Sequence, residues 1–360
     1  MTQEPQDTSN QTAEGTTPNK GRVLVTGASG YIAGFVILRL LEAGYSVRGT
    51  VRNAAKGEAV KAVLAAQDPR AKDIEIVEAD LASDKGWAEA VSGVQCVQHV
   101  ASPFPTVQPK NADDLINPAR DGALRVLKAA KAADVARVVM TSSLAAIVYT
   151  PDRPAVSDET VWSDPNNLKG NTAYTRSKTI AEKAAWDYVE GDGAGLELAV
   201  VNPGAVLGPV LSDDVSTSLE LVRQLLAGEV PAAPKVGFAL VDVRDVADMH
   251  VAAMERPEAA GERFVCATDF LWMGDIAKVL KEGLSPTESR KVPTGDLPNF
   301  AVKLFALMRP ELKQLLPELG NARPVSNAKA KRLLGWAPRT PQEAILDCAR
   351  SLIAHEIVTV

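Results

Sequence analysis

Short apolar runs alternate with longer stretches of helical periodicity through the first two hundred residues. Val23-Leu24-Val25 is too short for a helix and reads as a strand. Phe35, Val36, Leu38, Leu40 and Leu41 then recur on one helical face that ends at Gly44. Further strand-like runs follow at Tyr45 to Val51, Ile74 to Val77, Gln95 to Ala101 and Arg137-Val138-Val139-Met140. A sixth spans Leu196 to Val201 and is broken by Asn202-Pro203-Gly204. Helical patterns fill 112–133 and 172–188, the second with Asn171 or Thr172 as cap and Gly191 at its end. Apolar strands spaced by helices predict a parallel sheet covered on both faces. Ligands of such sheets lie outside the carboxyl ends of the strands, where Gly27, Arg52, Asp80, Ala101, Ser143 and Pro203 all fall.

Beyond Pro209 this rhythm stops. Leu219 to Leu226 reads as helix, Phe238 to Val243 as extended, Val246 to Met254 as helix and Phe264 to Ala267 as a short strand. Helices are expected near 274–281, 298–316, 327–334 and 342–355. The expected division is a sheet domain over 21–209 and a smaller, irregular lobe over 210–360 that shapes a substrate pocket, with about 238–267 returning to the first domain. Residues 1–20 carry almost no large apolar side chains and predict a disordered tail. They lack the basic start and apolar stretch of a secretory signal.

Three places carry candidate chemistry. Thr26-Gly27-Ala28-Ser29-Gly30 joins a strand to a helix, the context in which glycines admit a pyrophosphate to a helix N-terminus. Gly27 suits the tight turn, Gly30 the close approach of backbone N–H groups, and small Ala33 the packing of helix on strand. At the second strand end, an acid would bind the ribose hydroxyls of NAD. The residues there are Val51 and Arg52, with Lys56 beyond and no carboxylate close in sequence, so a 2′-phosphate is the better fit and NADPH the expected cofactor. The third place is the helix over 172–188. Of five tyrosines only Tyr174 has a lysine four residues on, and Tyr174 and Lys178 therefore share a helix face. An ammonium at that spacing favours the phenolate, as a tyrosine acting as proton donor near neutral pH requires.

Taken together the chain resembles the extended short-chain dehydrogenases/reductases, in their dihydroflavonol reductase and yeast-type aldehyde (methylglyoxal) reductase branch. The motifs are Val25-Thr26-Gly27-Ala28-Ser29-Gly30-Tyr31-Ile32-Ala33, Arg48-Gly49-Thr50-Val51-Arg52, Ala79-Asp80-Leu81, His99-Val100-Ala101-Ser102-Pro103-Phe104, Thr141-Ser142-Ser143, Tyr174-Thr175-Arg176-Ser177-Lys178 and Val241-Asp242-Val243-Arg244-Asp245-Val246-Ala247. The resemblance covers all but the tail and implies an α/β, Rossmann-type doubly wound parallel sheet. It implies Ser143, Tyr174 and Lys178 as the catalytic trio, with Ser142 in reserve. For NADP(H) it implies Gly27, Gly30, Tyr31 and Ile32 at the pyrophosphate, Arg52 and Lys56 at the 2′-phosphate, and Asp80 and Leu81 at the adenine. Val100, Ala101 and Ser102 would line the inner ribose, Lys178 would hold the nicotinamide ribose, and Pro203, Val206 and Ser218 would close over the nicotinamide and phosphates. Many relatives carry an active-site Asn where this chain has Ala119. Phe104, Pro105, Leu144, Ala145 and Gly204 are the expected pocket wall.

The net charge of −6 disfavours nucleic acid or an anionic membrane as partner. Three scattered cysteines suit reduced thiols in a cytoplasmic location, and three scattered histidines suggest no metal site. The partner expected is a small carbonyl or alcohol, for a monomer or homodimer. Two alternatives share the scaffold: a nucleotide-sugar epimerase or dehydratase, and a non-catalytic NADP-binding regulator.

Overall fold

The structure is a computed structural model that describes residues 20–103, 109, 111–168, 170–212, 219–308 and 316–360. The expected tail up to residue 19, Phe104, Pro105, Ser218 and the end of the helix expected over 298–316 lie outside these residues.

The strands expected in the first half form one sheet: β1 (Arg22–Val25), β2 (Ser46–Val51), β3 (Glu75–Glu78), β4 (Cys96–His99), β5 (Arg137–Thr141) and β6 (Glu197–Pro203). Later in the chain come β7 (Ala205–Leu207), β8 (Ala233–Pro234), β9 (Gly237–Asp242), β10 (Arg263–Cys266), β11 (Phe270–Trp272) and β12 (Asp296–Leu297). The main sheet runs β10-β6-β5-β4-β1-β2-β3, with every neighbouring pair parallel. Its order reverses between β1 and β4, and the glycine turn that follows β1 opens at that point.

Helices cover both faces. On one side lie α1 (Tyr31–Glu42), α2 (Ala55–Ala65) and α7 (Val243–Glu255), whose Phe35, Val36, Leu64, Val246 and Met249 join Val23 and Val25 in one core. On the other lie α3 (Trp87–Val91), α4 (Asp113–Ala132) and α5 (Ala173–Glu190), whose Trp87, Val126, Leu127 and Ala185 bury Leu24, Val97 and Val138. A separate core joins α6 (Glu220–Ala227), α8 (Met273–Gly283) and α11 (Pro341–Ala354) to Leu240 of β9. Also in this later region are α9 (Asn299–Met308) and α10 (Ala328–Leu334).

Two strand arginines are buried and end helices. Arg48 of β2 donates to the carbonyls of Glu89, Ala90 and Ser92 at the end of α3. Arg137 of β5 does the same for Ala253, Met254 and Arg256 at the end of α7. A guanidinium there satisfies carbonyls that the helix leaves without partners.

Some boundaries differ from the sequence expectation. β4 stops at His99 rather than Ala101, because the Ala101 N–H leaves the ladder and donates to Thr26 Oγ1 at 3.0 Å. β6 runs on through Asn202 and Pro203; proline is tolerated at a strand end and the chain kinks only after it. α7 begins at Val243, three residues early, since the Asp242 carboxylate caps the Arg244 N–H at 2.8 Å.

Candidate functional site

The glycine turn is built for close approach. Gly27 has φ +67, and a Cβ placed on it would meet Ala101 Cβ at 2.9 Å. Thr26 Oγ1 and Thr50 Oγ1 hold the turn from both sides, accepting the Ala101 and Gly27 N–H groups at 3.0 Å each. Gly30 is the N-cap of α1 with no side-chain cap, so the first-turn N–H groups of Tyr31 and Ile32 keep the orphan donors that a phosphate needs. Arg52 and Lys56 are exposed, and no ion pair among the described residues engages either. Lys56 lines a cavity of about 310 Å³ together with Ala28, Ser29, Gly30 and Tyr31. These features fit a dinucleotide whose phosphates meet the glycine turn at the strand ends.

One feature of this corner escapes a linear reading. In the parallel register Val51 stands opposite Glu78, and the Glu78 carboxylate accepts the Ala54 N–H at 3.2 Å. A carboxylate is therefore beside the Arg52 turn after all, although distant in sequence. At the end of β3, Asp80 accepts the Ala82 N–H through its carboxylate. Leu81 is pinned against α4, where a Cβ on Gly122 would lie 2.9 Å from its own.

Across the cleft, α5 presents the tyrosine and lysine. Thr172, rather than Asn171, caps it in a reciprocal box: its hydroxyl accepts the Thr175 N–H at 3.2 Å and Thr175 Oγ1 accepts the Thr172 N–H at 2.9 Å. Asn171 instead ties down the preceding loop, donating to the carbonyls of Tyr149, Asp164 and Asn167. Tyr174 is half-buried and shares a side-chain hydrogen bond with Ser143, the residue that follows Ser142 beyond β5. Ser142 turns the other way, its hydroxyl donating to Glu182 at 2.5 Å. Lys178 is buried, with Nζ 5.8 Å from the Tyr174 ring centroid.

Burial lowers the Lys178 ammonium to about 8, opposed by the charge of Glu182. Burial also raises the Tyr174 phenol, with the Ser143 hydrogen bond opposing. The expectation of a phenol lowered by its lysine is not met: burial raises it, and the opposing influence is the Ser143 hydrogen bond rather than the lysine. His99, at the end of β4, shares a 3.0 Å hydrogen bond with Thr26 Oγ1. Its imidazole is lowered to about 3 by burial and by the charge of Lys178, and is neutral. Behind it, His250 bonds Gln98 Oε1 at 2.8 Å and Thr141 Oγ1 at 2.8 Å. Two of the three histidines that look scattered in sequence, His99 and His250, thus line one buried polar seam, whereas His355 is exposed.

Other expected residues are placed as follows. Val100, Ala101 and Ser102 follow β4 with part of their surface exposed beside the glycine turn. Pro203 is buried at the end of β6, and Val206 of β7 is buried in the core that also takes Tyr31 and Ile32. Leu144 and Ala145 are 7% and 5% exposed, which leaves them little surface to offer a substrate. Gly204 remains partly exposed. Ala119 is buried among apolar side chains of α4 and supplies no hydrogen-bonding group. Glu182, Asn202 and Arg263 meet here although nothing in their local sequence marks them as a group. The one available signal was a second polar residue, Glu182, at helical spacing after Lys178.

Residues 23–267 match the model of the NAD dependent epimerase/dehydratase family. Cinnamoyl-CoA reductase 1 of Petunia hybrida is 36% identical over 296 residues, covering 81% of this chain and 86% of its own. A ketoreductase of Aspergillus niger is 32% identical over 352 residues, covering 92% and 97%. Among solved structures, yeast methylglyoxal/isovaleraldehyde reductase complexed with NADPH superposes with a TM-score of 0.77 at 28% identity, over 94% of this chain and 100% of the other. The chain belongs to the NAD dependent epimerase/dehydratase family, in the extended short-chain dehydrogenase/reductase branch that includes the cinnamoyl-CoA reductases.

Proposed function

We propose that the protein is an NADPH-dependent carbonyl reductase that converts small aldehydes or ketones to alcohols, reversibly, with Ser143, Tyr174 and Lys178 as its catalytic residues. The observation that carries the reading is the Ser143–Tyr174 hydrogen bond, one helical turn from buried Lys178, across from an uncapped glycine turn. The reductases among its relatives, one of them complexed with NADPH, point the same way.

The backbone of Gly30, Tyr31 and Ile32 would hold the pyrophosphate, Arg52 and Lys56 the 2′-phosphate, and Lys178 the nicotinamide ribose. Bound there, the cofactor supplies the hydride. A substrate carbonyl oxygen placed between Ser143 and Tyr174 receives two hydrogen bonds. As negative charge grows on that oxygen, Tyr174 Oη donates its proton and Ser143 Oγ stabilises what remains. The ammonium of Lys178 favours the phenolate left behind. Exchange of the oxidised for the reduced cofactor each turnover distinguishes this from an epimerase, which recycles its own.

The test is Tyr174→Phe, which removes one oxygen and keeps the ring. NADPH binding, followed by fluorescence, should persist. kcat for a panel of aldehydes and ketones should fall by roughly 10²–10⁴. A folded, NADPH-binding variant that still turns over near the wild-type rate refutes the assignment. Product release at constant total NADPH absorbance, from a nucleotide sugar, would favour the epimerase reading instead.

A further inference from the structure

Glu182 lies one helical turn beyond Lys178 on α5 and is 0% exposed. Its carboxylate joins the ends of three strands. Oε2 accepts Ser142 Oγ at 2.5 Å and Asn202 Nδ2 at 2.7 Å; Oε1 is ion-paired with Arg263 Nε at 2.7 Å. Asn202 Nδ2 also donates to the Ser143 carbonyl at 3.1 Å. Arg263 is itself buried, stacked 3.6 Å from the Trp162 ring centroid, and donates to the carbonyls of Glu159 and Val161. A buried ion pair of this kind gains little stability over an apolar pair of similar shape, because desolvation offsets the attraction. Its position beside Ser143 and Lys178 suggests another use.

We propose that the Glu182–Arg263 pair is a positioning device for the catalytic residues, and that the Glu182 carboxylate holds Lys178 in its charged form. Positioning works through two links. Ser142 is drawn away from the cleft, which turns the next side chain, Ser143, toward Tyr174. Asn202 holds the Ser143 carbonyl from the neighbouring strand. The electrostatic link runs along α5, where Lys178 and Glu182 stand four residues apart on one helix face. Burial alone would push the Lys178 ammonium toward its neutral form, and Glu182 is the group that opposes it. The groups facing Lys178 are Tyr174 and Glu182 from its own helix and neutral His99 from β4. Those facing Glu182 are Ser142, Asn202 and Arg263. Only Glu182 among them brings negative charge to the lysine.

This inference rests on the catalytic assignment proposed above, and its test separates the two. Glu182→Gln keeps the shape and removes the charge, leaving Arg263 unbalanced. The Lys178 ammonium then loses its proton at lower pH. The alkaline limb of the kcat/KM profile should move to lower pH by about one unit, from the Coulomb effect of one charge at i,i+4 distance in a partly screened interior. Glu182→Asp, which retains the charge, should return the limb to its wild-type position even if kcat stays low. If Glu182→Gln does not fold, Glu182→Gln/Arg263→Gln removes both halves of the pair, and its limb should move in the same direction by less. A limb that stays in place in whichever of these variants folds, with kcat reduced equally at every pH, overturns the proposal and leaves the pair a structural one. Tyr174→Phe run beside them reports on the catalytic assignment: if it stays active, that assignment fails whatever the limb does.

Discussion

Replacing Gly27 with Ala isolates the close approach between the glycine turn and the end of β4. Two costs arise. At φ +67 an alanine is strained by roughly 1–2 kcal/mol, since Cβ crowds the following carbonyl. Its Cβ would also stand 2.9 Å from Ala101 Cβ and 3.3 Å from Ala101 Cα, inside the ~3.5–4.0 Å at which carbons make favourable contact. Neither neighbour can swing aside: one is backbone, and the Ala101 N–H is fixed to Thr26 Oγ1. Overpacking of this kind costs roughly 1–3 kcal/mol more. Gly93 provides the control, with φ +68 and nothing within 4 Å of an added Cβ. Gly93→Ala should show the backbone cost alone. The gap between the variants is then the contact term, about 2–6 °C in Tm at roughly 2 °C per kcal/mol for a chain this size. Fluorescence titration should show NADPH affinity at least about tenfold weaker in Gly27→Ala and unchanged in Gly93→Ala, a tenfold loss being about 1.4 kcal/mol. If the two variants melt together and bind NADPH alike, the turn is not where the cofactor meets the backbone.

Two further outcomes follow from the same geometry. Arg52→Ala should weaken NADPH by about ten- to a hundredfold, from ~1.5–3 kcal/mol for a charge-assisted contact, and leave NADH nearly unchanged; equal loss for both would remove Arg52 from the 2′-phosphate. Ser143→Ala should lower kcat more than Ser142→Ala, whereas Ser142→Ala should lower Tm more because it strips a hydrogen bond from buried Glu182; kcat losses in the reverse order would make Ser142 the catalytic serine.

Local patterns made much of the molecule legible in advance. The six strands, the turn at Gly27 and the α5 face with Tyr174 and Lys178 follow from residue spacings of a few positions, where periodicity and capping act. The missed parts depend on partners far apart in the chain. Glu182 meets Asn202 twenty residues on and Ser142 forty residues back, and its counterion belongs to a strand from the later region. Glu78 reaches the Arg52 turn only through the register of two parallel strands. Gln98 and His250 are 152 positions apart. Strands of two residues, such as β8 and β12, carry too little pattern to be seen at all.

The late arrival of β10 and α7 has a consequence for how the chain must be made. β10 forms one edge of the main sheet beside β6, and α7 lies over the first half of the fold with its last carbonyls held by Arg137. A nascent or truncated chain ending at 209 would therefore leave the β6 backbone bare along one side and the α7-facing side of α1 open to water, and Arg137 would keep Glu197 but lose the three carbonyls at the end of α7. Bare strand edges and open apolar faces are what drive incomplete chains to associate with one another. On the ribosome the cofactor-binding half must wait for residues past 266 before it can close. An attempt to express that half alone should yield aggregate rather than a small NADPH-binding domain.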